Sequence, residues 1–249
     1  SGLNQFSSPN KISFDGLGNL YVSDAGNNRV TKWASGATQG VIVAGNSAAG
    51  SALNELNTPK GIYADAGGDV YVADQGNYRV VEWTNGAALG TVVAGGNGQG
   101  SNLNQVGQPN AVYVDGQGNV YASDTYNNWI VKWAPGATQG TIVAGSPTGA
   151  TGAGLDELSG PRGIFVDASG NIYVTDQGNN RVVEWAPGAS AGTLVAGNGT
   201  AGTNLNELNA PTGLFVDKSG NIYVADYYNA RIVKWAPGAN AGTLVAGTG

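Results

Sequence analysis

The chain of 249 residues contains neither cysteine nor histidine. Without cysteine there is no disulfide and no thiolate chemistry. Without histidine the commonest metal ligand and general base is gone. With both missing, the usual Ser–His and Cys–His nucleophile pairs cannot be built. Charge is scarce too: 11% of residues are Asp, Glu, Lys or Arg, against a usual ~25%. Such a chain lacks the charge of a disordered one and needs a packed fold to stay soluble. The formal net charge is −6 and the pI about 4.5. A nucleic acid partner is therefore disfavoured, because phosphate binding needs a basic face. No run of 18 or more apolar residues occurs, so no spanning helix is expected. The chain begins at Ser1 without a basic-then-apolar leader and reads as a processed or trimmed product.

What is abundant is glycine, with 42 residues, well above the ~7% of an average protein. No Gly-X-Y period accompanies it, which excludes collagen. The glycines fall at matching places in five copies of one unit, opened by Pro9, Pro59, Pro109, Pro161 and Pro211 at spacings of 50, 50, 52 and 50 residues. A fixed period of this size signals a repeat architecture. The stretch before each proline repeats as well: Leu3-Asn4-Gln5-Phe6 matches Leu53-Asn54-Glu55-Leu56, Leu103-Asn104-Gln105-Val106, Leu155-Asp156-Glu157-Leu158 and Leu205-Asn206-Glu207-Leu208. The sequence thus starts and stops inside the linker between copies, and joining its ends would give a fifth spacing of 47 residues. The repeats run end to end, so residues 1–249 are expected to form a single domain.

Each copy predicts four strands. Strand A (Ile12–Asp15, Ile62–Asp65, Val112–Asp115, Ile164–Asp167, Leu214–Asp217) is short and almost wholly apolar, as a strand buried on both faces would be. The Asp-x-x-Gly-Asn that follows it reads as a hairpin, with glycine supplying positive φ and Asp bonding turn N–H groups. It lacks the ligand spacing and distant Glu of a calcium loop. Strand B (Leu20–Asp24 and equivalents) carries Tyr21, Tyr71, Tyr121, Tyr173 or Tyr223. Strand C ends in Trp33, Trp83, Trp133, Trp185 or Trp235, each preceded by a charged residue, which predicts one packed and one wet face. Ala-Pro-Gly-Ala in three copies fits a type II turn. Strand D is Val41–Ala44, Thr91–Ala94, Thr141–Ala144, Thr193–Ala196 and Thr243–Ala246. A four-stranded sheet cannot bury both faces alone; stacking such sheets around an axis does so. The expected fold is all-β, a β-propeller of five four-stranded antiparallel blades with essentially no helix.

Each copy resembles an NHL repeat, Pro-x-Gly-Ile-x-Val-Asp-x-x-Gly-Asn-Ile-Tyr-Val-x-Asp-x-x-Asn-x-Arg-Val-x-x-Trp, over essentially the whole chain. Most propellers of that family have six blades. Five copies leave three arrangements open: a closed five-bladed ring, a sixth blade outside this sequence, or copies combined from different chains. The resemblance implies a binding platform more often than an enzyme; relatives include sensor domains of bacterial kinases and protein- or RNA-binding domains of animals. Some six-bladed relatives are metal-dependent lyases or lactonases, and the lyase type relies on histidines that are absent here.

The recurrent pairs Asp24/Arg29, Asp74/Arg79, Asp176/Arg181 and Asp226/Arg231 are expected to be structural, with Asp accepting loop N–H groups and the Arg fork pairing with it. Copy three has Trp129 where the Arg should stand. Tyr78, Tyr126, Tyr227 and Tyr228 replace Gly, Asn or Ala of the other copies. B–C loops and D–A linkers share one face of a propeller, so Trp129 and these tyrosines are candidate binding residues; exposed Tyr and Trp are enriched at hot spots. Lys60 and Arg162, next to the opening prolines, are expected at the channel mouth, where they would attract an anion. No catalytic residue, metal ligand or cofactor site is assigned. Asn198-Gly199-Thr200 is a glycosylation sequon. The leading reading is a non-enzymatic scaffold for a protein or glycan partner, extracellular or at the cell surface. The alternatives are a metal-dependent lyase- or lactonase-like enzyme and a structural subunit that polymerises as a homo-oligomer.

Overall fold

The computed structural model describes residues 2–248. These residues contain twenty strands and four one-turn 3₁₀ helices, and no α-helix among the described residues. The strands fall into five sets of four: β1–β4 (Pro9–Phe14, Leu20–Asp24, Arg29–Trp33, Val41–Ala44), β5–β8 (Pro59–Ala64, Val70–Asp74, Arg79–Trp83, Thr91–Gly95), β9–β12 (Pro109–Val114, Val120–Asp124, Trp129–Trp133, Thr141–Ala144), β13–β16 (Pro161–Val166, Ile172–Asp176, Arg181–Trp185, Thr193–Ala196) and β17–β20 (Pro211–Val216, Ile222–Asp226, Arg231–Trp235, Thr243–Gly247). Each set is one antiparallel sheet with its strands in chain order, as short connections dictate. The all-β blade organisation read from the repeats is thus what the chain adopts. The first strand of each sheet begins at the proline, three residues earlier than expected, and stops before the Asp. A register shift between Pro9 and Ile12, repeated between Pro161 and Ile164, interrupts the alternation that marks a strand in sequence.

The chain packs as two compact units, Ser1–Ala122 with Lys132–Thr141, and Ser123–Val131 with Ile142–Gly249. In the first, Tyr21, Val30 and Ala44 of one sheet meet Ile62, Val72 and Trp83 of the next, with Leu56 of the linker between them. In the second, Tyr173, Val182 and Ala196 meet Leu214, Val224 and Trp235, with Leu208 between them. Each such aliphatic side chain contributes roughly 1.5–3 kcal/mol on burial. Trp83, Trp133, Trp185 and Trp235 are all buried. A glycine just before the fourth strand makes room for the ring: a Cβ on Gly90 would lie 2.9 Å from Trp83 Cε2, and one on Gly192 2.9 Å from Trp185 Cδ2.

The hairpins between the first two strands are held by their Asp. Asp15 accepts from the Leu17 and Asn19 N–H groups at 3.0 and 2.9 Å, from Asn19 Nδ2 at 2.7 Å and from the Tyr21 hydroxyl at 3.0 Å, with Gly18 at φ +79°. Both carboxylate oxygens are thus engaged within the turn. Burial works to raise the Asp15 and Asp115 carboxyls, but the hydrogen bonds each accepts, from Asn19 or Asn119 foremost and from the lysine, tyrosine or turn N–H beside it, together outweigh burial and hold both below the ordinary carboxylate range. Burial, then the hydrogen bond to Asp115, pushes the Tyr121 hydroxyl up to about 12.

A depressed folded-state pKa means stability that is present above the unfolded value, near 3.9, and lost as pH falls through the folded value. Asp115→Asn is therefore expected to destabilise the protein at pH 7. Its deficit relative to the parent should shrink as pH falls from about 5 to 2. Urea unfolding of both proteins across that range checks it; a deficit independent of pH would contradict it.

Candidate functional site

The second strand of each sheet ends at the Asp that pairs in register with the opening proline, as in Pro59↔Asp74, Pro161↔Asp176 and Pro211↔Asp226. Strand start and B–C loop therefore share one sheet edge. In four copies the chain leaves that Asp through a single 3₁₀ turn, capped by a left-handed residue: Asn28, Tyr78, Asn180 or Ala230.

The Asp–Arg pairs sit at the base of these loops, and they are structural. Arg79 Nε donates to Asp74 at 2.7 Å, and its terminal nitrogens donate to the carbonyls of Ser51, Ala52 and Glu55 at 2.8, 3.1 and 3.1 Å. Asp74 also accepts from the Asn57 N–H and from Asn77 Nδ2, each at 2.7 Å. The cluster straps each linker onto the sheet that follows it. The same set recurs around Asp24/Arg29, Asp176/Arg181 and Asp226/Arg231, at 2.7–2.8 Å. All four carboxylates and arginines are buried. Burial pushes the Asp74 and Asp176 carboxyls up even with an arginine beside each.

Four linkers key into the sheet that precedes them, three of them strapped in this way and the one carrying Val106 without an arginine. Leu56, Val106, Leu158 and Leu208 have no exposed surface. Each lies against a glycine at the end of the preceding fourth strand: a Cβ on Gly45, Gly95, Gly145 or Gly197 would meet that side chain at 2.8–3.2 Å.

Trp129 departs from its expected place. It opens β11 and is 4% exposed, with an indole N–H that has no hydrogen-bond partner among the described residues. The position belongs to a buried strap, so a large apolar ring there turns inward. Trp129 is not available as a surface residue. The tyrosines of the second unit are: Tyr126, Tyr227 and Tyr228 are 58%, 63% and 71% exposed, and the last two rings lie 5.2 Å apart. Hydrogen bonds to backbone carbonyls hold their loops. Thr125 Oγ1 donates to the Pro161 carbonyl at 2.8 Å, and the Tyr228 N–H to the Asn209 carbonyl at 3.1 Å. Arg162, on the same edge, is half-buried and donates through Nε to Gln177 Oε1 at 2.6 Å. In the first unit Tyr78 and Lys60 are both half-buried, and Tyr78 holds φ +56°.

One residue escaped the sequence reading. Lys11 occupies the repeat column filled elsewhere by Gly61, Ala111, Gly163 and Gly213. It is half-buried, and burial lowers its amine pKa. The break in a small-residue column was the signal that could have found it. Among the described residues no three Asp or Glu side chains converge as metal ligands. Two hollows in the first unit, of about 590 Å³ beside Tyr71, Glu82 and Trp133 and about 330 Å³ beside Lys32 and Trp83, are the same groove repeated between consecutive sheets.

Five four-stranded meanders, four of them strapped to their linkers by a buried arginine and four keyed by a linker side chain into the sheet before, define a β-propeller. Residues 6–33, 56–83, 158–185 and 208–235 match the NHL repeat model, and the chain is an NHL-repeat protein. The four matched segments are the copies that keep the buried arginine; the copy with Trp129 is not matched. No curated protein sequence matches the chain. Among solved structures, a chain of the nidogen–laminin complex is similar at a TM-score of 0.72 and 17% identity, over 94% of this chain and 78% of that one. An auxiliary nutrient binding protein from Bacteroides thetaiotaomicron is similar at 0.69 and 16%, over 92% of this chain. This chain spans only 59% of that relative. A gluconolactonase from Xanthomonas campestris is similar at 0.69 and 14%, over 98% of this chain and 76% of its own. At such identities the likeness is one of fold.

Proposed function

We propose that residues 1–249 form one NHL-type propeller domain that acts as a non-enzymatic binding or scaffold module, presenting the edge of B–C loops and linkers to a protein or glycan. The observation that carries this is the exposure of Tyr126, Tyr227 and Tyr228 on loops whose backbones are fixed. Large amphipathic rings on ordered loops lose little entropy on binding and stack readily on sugars and peptides. Arg162 on the same edge adds a donor for a polar or anionic group, and Tyr78 and Lys60 are its counterparts in the first unit. The recurrent carboxylates are already held by arginines and backbone N–H groups, which favours binding over metal-dependent lyase or lactonase chemistry. No helix among the described residues is long and apolar enough to cross a membrane, and the sequon at Asn198 is exposed; we place the protein outside the cell or at its surface.

The test is titration of the protein with a panel of neutral oligosaccharides and Tyr- or Pro-rich peptides, read by NMR and calorimetry. At least one ligand should bind, and Tyr228→Ala should weaken it by about 2 kcal/mol, roughly thirtyfold. Absence of binding across the panel, or binding unchanged by Tyr126→Ala, Tyr227→Ala and Tyr228→Ala, would overturn the reading.

A further inference from the structure

Of the two hollows in the first unit, the larger carries a charge that no protein group answers. It lies between the second and third sheets. Val92 and Ala94 of β8 form one wall; Val120 of β10, Trp133 at the end of β11 and the turn at Pro135 form the other. Ala94, Val120 and Trp133 are buried and give the hollow an apolar lining, while Thr91 and Val92 are exposed at its rim. Its volume of about 590 Å³ is that of a cleft for a small organic molecule.

Glu82 of β7 lines this hollow, in register with Tyr71 of β6. The Tyr71 hydroxyl donates to Glu82 Oε1 at 2.8 Å. Burial, then that hydrogen bond, pushes the hydroxyl pKa up, so it remains a donor at neutral pH. Glu82 Oε2 accepts no hydrogen bond, and Glu82 has no ion pair, among the described residues. The smaller hollow is a comparison within the same unit. The repeat column that holds Glu82 holds Lys32 in the first sheet. Lys32 lines that hollow, but its ammonium lies 3.2 Å from Asp15 and over the Tyr21 ring, so its charge is met on its own sheet. In the second sheet the residue matching Asp15 is Asp65, which has the sign of Glu82 and cannot meet it.

We propose that the hollow between the second and third sheets binds a small organic amine, a primary ammonium carried on an apolar body. The ammonium donates to the free Glu82 oxygen in a charge-assisted hydrogen bond, about twice as strong as a neutral one. The Tyr71 hydroxyl oxygen keeps a lone pair and is a second acceptor. The apolar body covers Val92, Val120 and Trp133, which gain by leaving water. A quaternary ammonium has no N–H for the carboxylate, and an anion is repelled by it. The net charge of −6 favours the approach of a cation. This site is separate from the loop edge of the proposed function: Glu82 stands one residue before the end of β7, whereas the B–C loop meets that strand at its start, Arg79.

The test is titration of the 249-residue chain with phenethylamine at neutral pH, read by amide NMR shifts and calorimetry. Shifts should fall on Gly118, Val120, Trp133 and Gly136 and saturate with a Kd between about 0.1 and 10 mM. Phenethyl alcohol, the uncharged counterpart, should bind at least about tenfold more weakly, as should a capped Gly-Lys-Gly peptide, which carries the same head on a polar body. Glu82→Gln should weaken the amine by at least about tenfold and leave the alcohol nearly unchanged. Glu82→Lys, which installs the residue of the first, third and fifth copies, should abolish amine binding, and it replaces Glu82→Gln if circular dichroism shows that the latter does not fold. No shift at these residues up to about 20 mM amine would overturn the proposal. So would alcohol or peptide binding as tight as the amine, amine binding unchanged by the Glu82 variants, or shifts confined to Tyr227 and Tyr228.

Discussion

Arg79→Leu is expected to cost about 3–5 kcal/mol of stability, the range seen when one member of a buried ion pair is removed. The guanidinium satisfies a fully buried carboxylate and three linker carbonyls at once. Leucine offers none of these donors, so Asp74 is left charged in a site whose burial already pushes its carboxyl up. Chemical denaturation measures the loss. Asp74→Asn with Arg79→Leu should cost less than the sum of the two single changes, because the buried charge and its partner leave together. Trp129 shows how a copy lives without the arginine: a ring fills the space, and Asp124 keeps Asn127, through Nδ2 at 2.7 Å. A loss below about 1 kcal/mol for Arg79→Leu would mean that the strap is ornamental.

Leu208→Ala is expected to cost about 2–5 kcal/mol, since it empties a socket between two sheets that the backbone cannot close. Leu158→Ala should fall in the same range. Phe6→Ala, at the same repeat position, should cost much less in dilute solution, because its ring is partly in water already. The contrast between Leu208 and Phe6 is more informative than either value, and urea unfolding at about 1 µM reads both. Equal losses would show that the first linker is covered in solution as the others are.

Much of this was legible in the sequence. The period, the hairpin at Asp15–Asn19 and the strands ending at Asp24 and Trp33 follow from alternation and turn chemistry, which are local. The structural role of the Asp–Arg pairs was legible for a different reason, since a group repeated in four copies serves the repeat and not one ligand. What was not legible depends on neighbours. The early strand starts at Pro9 and Pro161 are hidden by an irregular register that no local pattern encodes. Trp129 was read as a surface aromatic because a loop terminus and a strand start look alike in sequence; the buried register of β11 decides it. Phe6 and Leu208, identical in repeat position, differ in exposure, and no single copy carries that information.

The claim beneath all of this is that, in the copies that keep it, the buried arginine holds the linker on its own sheet so that its apolar key can reach the sheet before it. A double-mutant cycle between Arg79→Leu and Leu56→Ala tests it most directly. If the strap seats the key, truncating the key matters less once the strap is gone. The double variant should then be more stable than additivity predicts by at least about 1 kcal/mol. Additivity within about 0.5 kcal/mol would show that strap and key act independently, and would contradict the account.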